Sequence, residues 1–302
     1  MAERVDPVVL VTGSNGQVGT ALLSRLTGFG RLVAAERNLL DLSDLAQVRR
    51  VVSQVKPAVI VNCAAYTAVD KAESDSELTM RINGEAPGVL AEEARRTGAL
   101  LVHYSTDYVF DGSKDGAYVE SDTPNPLNVY GASKLAGERA IAQAGGAWLV
   151  LRTSWVYGLY GKNFLLTMLR LGAQKKEIPV VADQFGAPTW AGTIADLTVQ
   201  MLQQTPVAEK EALSWWTQRS GVYHMTAAGA TSWAGFAEAI FAQAELDVTP
   251  TVMPIPTEAY PTPARRPRNS RLSNEKVAQA FNIQSPDWLV ELQRCMSSHG
   301  QS

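Results

Sequence analysis

Tyr130 and Lys134 stand four residues apart in the stretch YGASK, and Ser105-Thr106 precedes Tyr130 by about 25 residues. On a helix the positions i and i+4 share a face, so a phenol and an ammonium would lie together there. Such pairs also decorate ordinary helix surfaces, where they do no chemistry. What these types suit is proton delivery to an alkoxide, the species left when a hydride reduces a ketone. A free tyrosine has a pKa of about 10 and is a slow proton partner at neutral pH. A neighbouring ammonium stabilises the phenolate and lowers that pKa. Thr106 would hold and polarise the carbonyl oxygen. Thr106, Tyr130 and Lys134 are therefore the candidate catalytic set.

A hydride needs a donor, and the amino-terminal turn offers a place for one. TGSNGQVG, residues 12 to 19, follows a short apolar run and opens a helical pattern. Glycines at this spacing let the backbone approach a pyrophosphate, while the helix N-terminus presents free N–H groups. Gly13, Asn15, Gly16, Gln17, Val18 and Gly19 are the candidate dinucleotide contacts. Glu36 closes the second strand, where a carboxylate can accept from the adenosine ribose hydroxyls. Arg37 beside it suits a 2′-phosphate instead, so NADH and NADPH both stay open. Asp41-Leu42 either contacts the adenine or caps the next helix. Asn62-Cys63-Ala64-Ala65 brings small side chains to a strand end, with Cys63 read as a packed residue and not a nucleophile.

These residues need a frame. Short β-branched runs alternate with helical patterns: strands at 8–12, 31–35, 58–62, 99–105 and 148–153, and helices at 17–27, 45–55, 74–97 and 127–144. Parallel neighbours require crossovers and helices supply them, which gives an α/β doubly wound, mostly parallel sheet of Rossmann type. Ser105-Thr106 then falls at the carboxyl edge of the sheet, where ligands bind. The second half is richer in Pro and Trp. It holds helical patterns at 190–202 and 232–244, an isolated strand signal at 221–225, and a Pro-rich stretch, 251–272, expected to lack regular structure. The expected division is a dinucleotide-binding domain over 1–160, completed by part of 190–225, and a smaller, interleaved substrate-binding lobe over 161–302.

The bulk properties narrow the classes. A formal charge of -3 over 302 residues gives no basis for general nucleic-acid binding. Two cysteines, Cys63 and Cys295, are too few for a disulfide framework and fit a reducing cytoplasm. The start of the chain lacks the pattern of a signal peptide, and no apolar run is long enough to span a membrane. His103, His224 and His299 are scattered with no metal-ligand spacing, so no metal site is expected.

Taken together, TGSNGQVG, VNCAAYTAVDKAES, VHYSTDYVFDG, PLNVYGASKLAGE, RTSWVYG, DQFGAPTWAGTIAD and YPTPARRPRNSRL resemble the extended short-chain dehydrogenase/reductase family, in order, over roughly residues 8 to 272. Within that family the blocks are similar to those of enzymes acting on dTDP-sugars. The resemblance implies NAD(P)H-dependent reduction of the C4 ketone of dTDP-4-dehydro-L-rhamnose to dTDP-L-rhamnose, used for cell-surface polysaccharide. It places Gly16, Gln17, Val18, Asp41, Leu42, Ala65, Tyr66, Thr67 and Tyr104 at the cofactor, and Thr106, Asp107, Tyr130 and Trp155 at the sugar nucleotide. Lys134 serves both. Within the basic run, Arg266 is a candidate for the diphosphate. Some family members are thought to dimerise around Mg2+ held by glutamates. The matching positions here include Ala21 and Gly192, which cannot ligate, so a monomer or a different homodimer is expected. Competing readings are another nucleotide-sugar reductase, epimerase or dehydratase, and a noncatalytic subunit like the methionine adenosyltransferase β-subunit.

Tyr130→Phe removes the proton and leaves the ring. It should keep cofactor binding, read by fluorescence titration, and lose on the order of 10²–10⁴-fold in turnover. Near-normal turnover would mean that another group delivers the proton.

Overall fold

A computed structural model describes residues 7–206 and 209–299 of the chain. The first six residues, part of the segment weighed above against a signal peptide, and the side chain of His299 lie outside the described residues. The strands are β1 (Val8–Thr12), β2 (Arg31–Ala35), β3 (Val59–Asn62), β4 (Leu100–Thr106), β5 (Ala147–Thr153), β6 (Glu177–Val181), β7 (Gly221–His224) and β8 (Thr251–Ile255), with four two-residue strands besides among the described residues. Six of them form one sheet in the order β7-β5-β4-β3-β1-β2, every pair parallel. The strand signal at 221–225 is therefore not isolated, since β7 extends the sheet beside β5.

The apolar runs make sense because a parallel sheet is buried on both faces. The principal helices are α1 (Gln17–Arg25), α2 (Leu45–Val55), α3 (Ala86–Thr97), α4 (Val129–Ala144), α5 (Phe164–Gly172), α6 (Ala191–Gln203) and α7 (Trp233–Gln243). Val9, Val11, Val61 and Val102 point to one face and pack with Leu22 of α1 and Ile194 of α6. Leu10, Ile60, Leu101 and Val150 point to the other and pack with Val52 of α2, Leu90 of α3 and Ile141 of α4. A third apolar cluster, with Tyr157, Ile178, Phe236 and Leu292, lies in the carboxy-terminal half.

Two expectations change. The pattern predicts one helix from about Ser74 to Thr97. The structure divides it into Ser76–Met80, a π-helical turn at Arg81–Glu85, and α3. Pro87 in the first turn of α3 has no N–H to return to the preceding turn. Asn83 in the π turn has other work: its Oδ1 accepts from Tyr66 N at 2.8 Å, and its Nδ2 donates to Tyr66 O at 3.0 Å and Ser133 Oγ at 3.1 Å. The Pro-rich stretch also begins with order, because β8 pairs in parallel with β6 and places Pro254 opposite Val180. A two-stranded ladder tolerates proline because each strand has one side free of ladder bonds.

The catalytic candidate helix α4 is seated firmly. Its cap, Asn128, accepts from Gly131 N at 2.8 Å through Oδ1 and donates to Arg265 O through Nδ2. Two turns below Tyr130, Glu138 is buried against Arg152 of β5, with Nε–Oε1 at 2.9 Å and Nη2–Oε2 at 2.6 Å. Ser105 Oγ donates to the same carboxylate at 2.5 Å. Arg152→Leu leaves Glu138 buried without its counter-charge and should cost about 3–5 kcal/mol in urea unfolding. The double variant with Glu138→Leu should recover much of that loss.

Candidate active site

The chain steps from β1 to β2 on one side of the sheet and to β3 on the other, so the crevice lies between β1 and β3. Gly13 turns there with φ +60, and a Cβ on it would stand 2.8 Å from the Ala64 backbone. Gly19 is held as tightly, with Gly13 O 2.2 Å from where its Cβ would be. Gly16 caps α1 without a side-chain bond, which leaves first-turn N–H groups for a phosphate. The turn and the loop after β3 thus form one surface. Gln17 accepts from Asn163 Nδ2 at 2.9 Å, tying α1 to the start of α5. Val18 packs into the core below.

Around the adenosine end the structure sorts the expectations. Glu36 and Arg37 are exposed just after β2, and Arg37 Nε donates to Asp41 Oδ2 at 3.0 Å. Asp41 also accepts from the Ser43 backbone and hydroxyl. It does not cap α2, since Asp44 takes that place by accepting from Gln47 N. Leu42 is buried in the core, leaving only backbone for a ligand. Ala65, Tyr66 and Thr67 lie on the loop after β3, where the Tyr66 hydroxyl donates to Asp75 at 2.7 Å. The Tyr104 side chain points elsewhere, hydrogen-bonded with Thr198 at 2.7 Å in the core. Cys63 is partly buried and burial pushes its thiol far up, as befits a packed residue.

At the reacting end, Thr106 donates to Asp107 Oδ1 at 3.0 Å and accepts from Tyr108 N. Tyr130 is half-buried with its ring edge-on to Tyr108, centroids 5.8 Å apart. Burial pushes its phenol up to about 12, the Asp107 charge adds to the rise, and a bond with the Thr106 hydroxyl opposes it. Burial pushes Asp107 up to about 6, against the hydroxyls of Ser270 and Thr106. The expected Tyr130–Lys134 coupling is absent in this state. Lys134 is 2% exposed, and its Nζ donates to Tyr104 O at 2.6 Å and lies 3.1 Å from His103 Nε2. One turn of helix puts the two residues on the same face, but buried partners deeper in the sheet take the lysine. Burial lowers its pKa to about 8, while Glu138 raises it.

Trp155 follows β5 with φ +48, a left-handed backbone that a bulky side chain rarely adopts. Its indole stacks on Trp233, centroids 3.6 Å apart and planes 8° apart, with Gly186 against its edge. Trp155 is only partly buried at the sheet's carboxyl edge. Trp233 was not among the sequence candidates, because its partner is 78 residues away and no local pattern links them. Arg266, expected to meet a diphosphate, forms a two-bond ion pair with Asp70, at 2.9 and 3.0 Å. Among the described residues no group of three or more His, Cys, Asp or Glu is placed to hold a metal.

The family model described as RmlD substrate binding domain matches residues 8–300. The chain belongs to that family. A dTDP-4-dehydrorhamnose reductase of Burkholderia thailandensis is 52% identical, covering 95% of this chain and 97% of that protein. The Escherichia coli K12 protein of the same name is 42% identical, covering 96% and 97%. The crystal structure of the Bacillus anthracis dTDP-4-dehydrorhamnose reductase in complex with NADP superposes with a TM-score of 0.89 at 35% identity, covering 97% and 99%. The NAD complex of a Thermus thermophilus UDP-glucose 4-epimerase, at 20% identity and a TM-score of 0.75, shares the fold. Among the described residues no helix is long and apolar enough to cross a membrane.

The Asp107 carboxyl binds its proton more tightly in the folded protein, at about 6, than an ordinary aspartate does at 3.8. Ionising it therefore erodes stability as pH rises from about 3.8 to about 6, by on the order of 3 kcal/mol above that window. Asp107→Asn should raise the melting temperature at pH 8 and leave it nearly unchanged at pH 4. An equal gain at both values would assign the effect to packing instead.

Proposed function

We propose that this chain reduces the C4 ketone of dTDP-4-dehydro-L-rhamnose to dTDP-L-rhamnose with NADPH or NADH. The observation that carries this is the meeting of the glycine turn, Thr106 and Tyr130 at one sheet edge, in a chain 52% identical to a reductase of that name. The reduced nicotinamide supplies the hydride. Tyr130, kept protonated by its surroundings through neutral pH, gives its proton to the alkoxide oxygen. The Thr106 hydroxyl orients that oxygen, and Lys134 as an ammonium stabilises the resulting phenolate and bonds the nicotinamide ribose. The free N–H groups of α1, with Gly13, Asn15 and Gly16 around them, would hold the pyrophosphate.

NADPH is the cofactor that Arg37 favours. Asp41 holds Arg37 only through Nε, and the terminal guanidinium nitrogens make no other hydrogen bond among the described residues. They are suited to a 2′-phosphate. The stacked Trp155 and Trp233 offer an apolar wall to the deoxysugar or the base. Arg266 supports the diphosphate only by releasing Asp70. Residues 1–160 with part of 190–225 would form the cofactor-binding unit, and the rest of 161–302 the sugar-facing lobe. The proposed setting is the cytoplasm, as a monomer or a homodimer without a metal bridge or nucleic-acid partner.

The test is oxidation of NADPH and NADH with dTDP-4-dehydro-L-rhamnose and a UDP-keto-sugar control. Turnover confined to the dTDP substrate is expected, and none with folded protein would overturn the proposal. Arg37→Ala should raise KM for NADPH about tenfold, the loss of one exposed phosphate contact of about 1.4 kcal/mol, and leave KM for NADH unchanged.

A further inference from the structure

A line of buried polar groups runs beneath the site, and of its members only Lys134 takes part in the steps above. Thr12 at the end of β1, Asn62 at the end of β3, His103 in β4 and Lys134 on α4 are each 0–2% exposed. Thr12 Oγ1 is 2.6 Å from Asn62 Oδ1, Asn62 Nδ2 is 2.8 Å from His103 Nδ1, and His103 Nε2 is 3.1 Å from Lys134 Nζ. The line thus crosses three strands and joins the glycine turn to the candidate catalytic lysine.

Its direction is set at the Thr12 end. The Thr12 hydroxyl accepts from Ala64 N at 3.2 Å, and its own proton finds an acceptor in Asn62 Oδ1. The Asn62 atom facing His103 is then the NH2 group, a donor. A neutral imidazole carries one N–H and one lone pair, so Nδ1 accepts and the proton sits on Nε2. Nε2–H therefore points at Lys134 Nζ. An ammonium there would set donor against donor in a buried site, whereas an amine accepts from Nε2–H and still donates to Tyr104 O.

We infer that His103, locked by Thr12 and Asn62 as the Nε2–H tautomer, is a positioning residue that weakens the hold of Lys134 on its proton before cofactor binds. This rests on the proposed catalytic part of Lys134 and adds a state that precedes it. The other ionisable groups on the elements around the lysine do not reverse the assignment. Glu138 on the same helix is engaged by Arg152 of β5. Burial raises Tyr130 on α4, Tyr104 on β4 and Cys63 after β3, so all three are neutral at pH 7, and burial keeps His103 neutral. Asp107 beyond β4 is directed to Thr106 and Tyr130. To reach the ribose as an ammonium, Lys134 leaves His103, and the fraction held as amine takes one proton from solvent. The Thr12 end of the line is bonded to Ala64, which touches Gly13, so the dinucleotide turn and the lysine share one hydrogen-bond register.

Two measurements test this. In 15N-histidine-labelled protein without ligand, with His103 assigned by elimination through His224→Gln and His299→Gln, the proton should sit on Nε2 and the ring should stay neutral well below the ordinary histidine range. In pH profiles of kcat/KM for NADPH oxidation, His103→Gln offers a carbonyl that accepts from an ammonium. The alkaline limb should then move up by about one pH unit, at an unchanged melting temperature. A proton on Nδ1, an imidazolium at neutral pH, or an unmoved limb in folded His103→Gln would overturn the assignment. The ring measurement on wild-type protein decides the matter even where the variant fails to fold. Lys134→Met separates the two levels. If it keeps full turnover, the catalytic role of the lysine falls. If it loses turnover while the His103→Gln limb stays put, only the role of His103 falls.

Discussion

A sheet whose strands all run one way, buried on both faces, can offer its strand ends to a ligand only at one edge. That constraint organises the rest of the molecule. It brings Thr12, Asn62, Thr106 and Trp155, from four separate parts of the chain, to the same rim. It also sets the crevice where the strand order turns, with Gly13 and Ala64 in backbone contact because neither carries a side chain beyond a methyl. The helices supply what the strands cannot, a cationic and a phenolic side chain on one face and an open set of N–H groups at a terminus.

Burial then decides protonation. Ordinary values would give an ionised carboxylate at Asp107 and an ammonium at Lys134. Enclosure moves both toward neutrality, and it moves Tyr130 away from ionisation. In the ligand-free state burial holds the phenol in its protonated form. In the reaction proposed above, a positive charge would loosen that proton, supplied by the lysine once displaced from β4 and by an oxidised nicotinamide.

Much of the frame was legible in the sequence because periodicity and β-branched runs report burial directly. The five strands of the first half and the helix carrying YGASK lie within a residue or two of where the pattern puts them. What escaped was set by contacts distant in sequence. The π turn at Arg81–Glu85 depends on Asn83 reaching Tyr66 and Ser133, and the order in β8 depends on β6. The site divides the same way. The candidacy of Thr106, Tyr130 and the glycine turn rests on type and spacing alone, and the structure brings them to one edge of the sheet. The engagement of Lys134 with His103, of Arg266 with Asp70, and of Trp155 with Trp233 has no local signature.

The clasp between Asp70 and Arg266 joins residues 196 positions apart, and the same arginine folds back on Ala264 O. Asp70 belongs to the short helix Val69–Ala72 that follows the loop after β3, while Arg266 arrives with the last fifth of the chain. A chain growing from its amino terminus can build five strands of the sheet and the YGASK helix long before this closure exists. The segment after β3 thus gains this partner only when the tail has been made and docked.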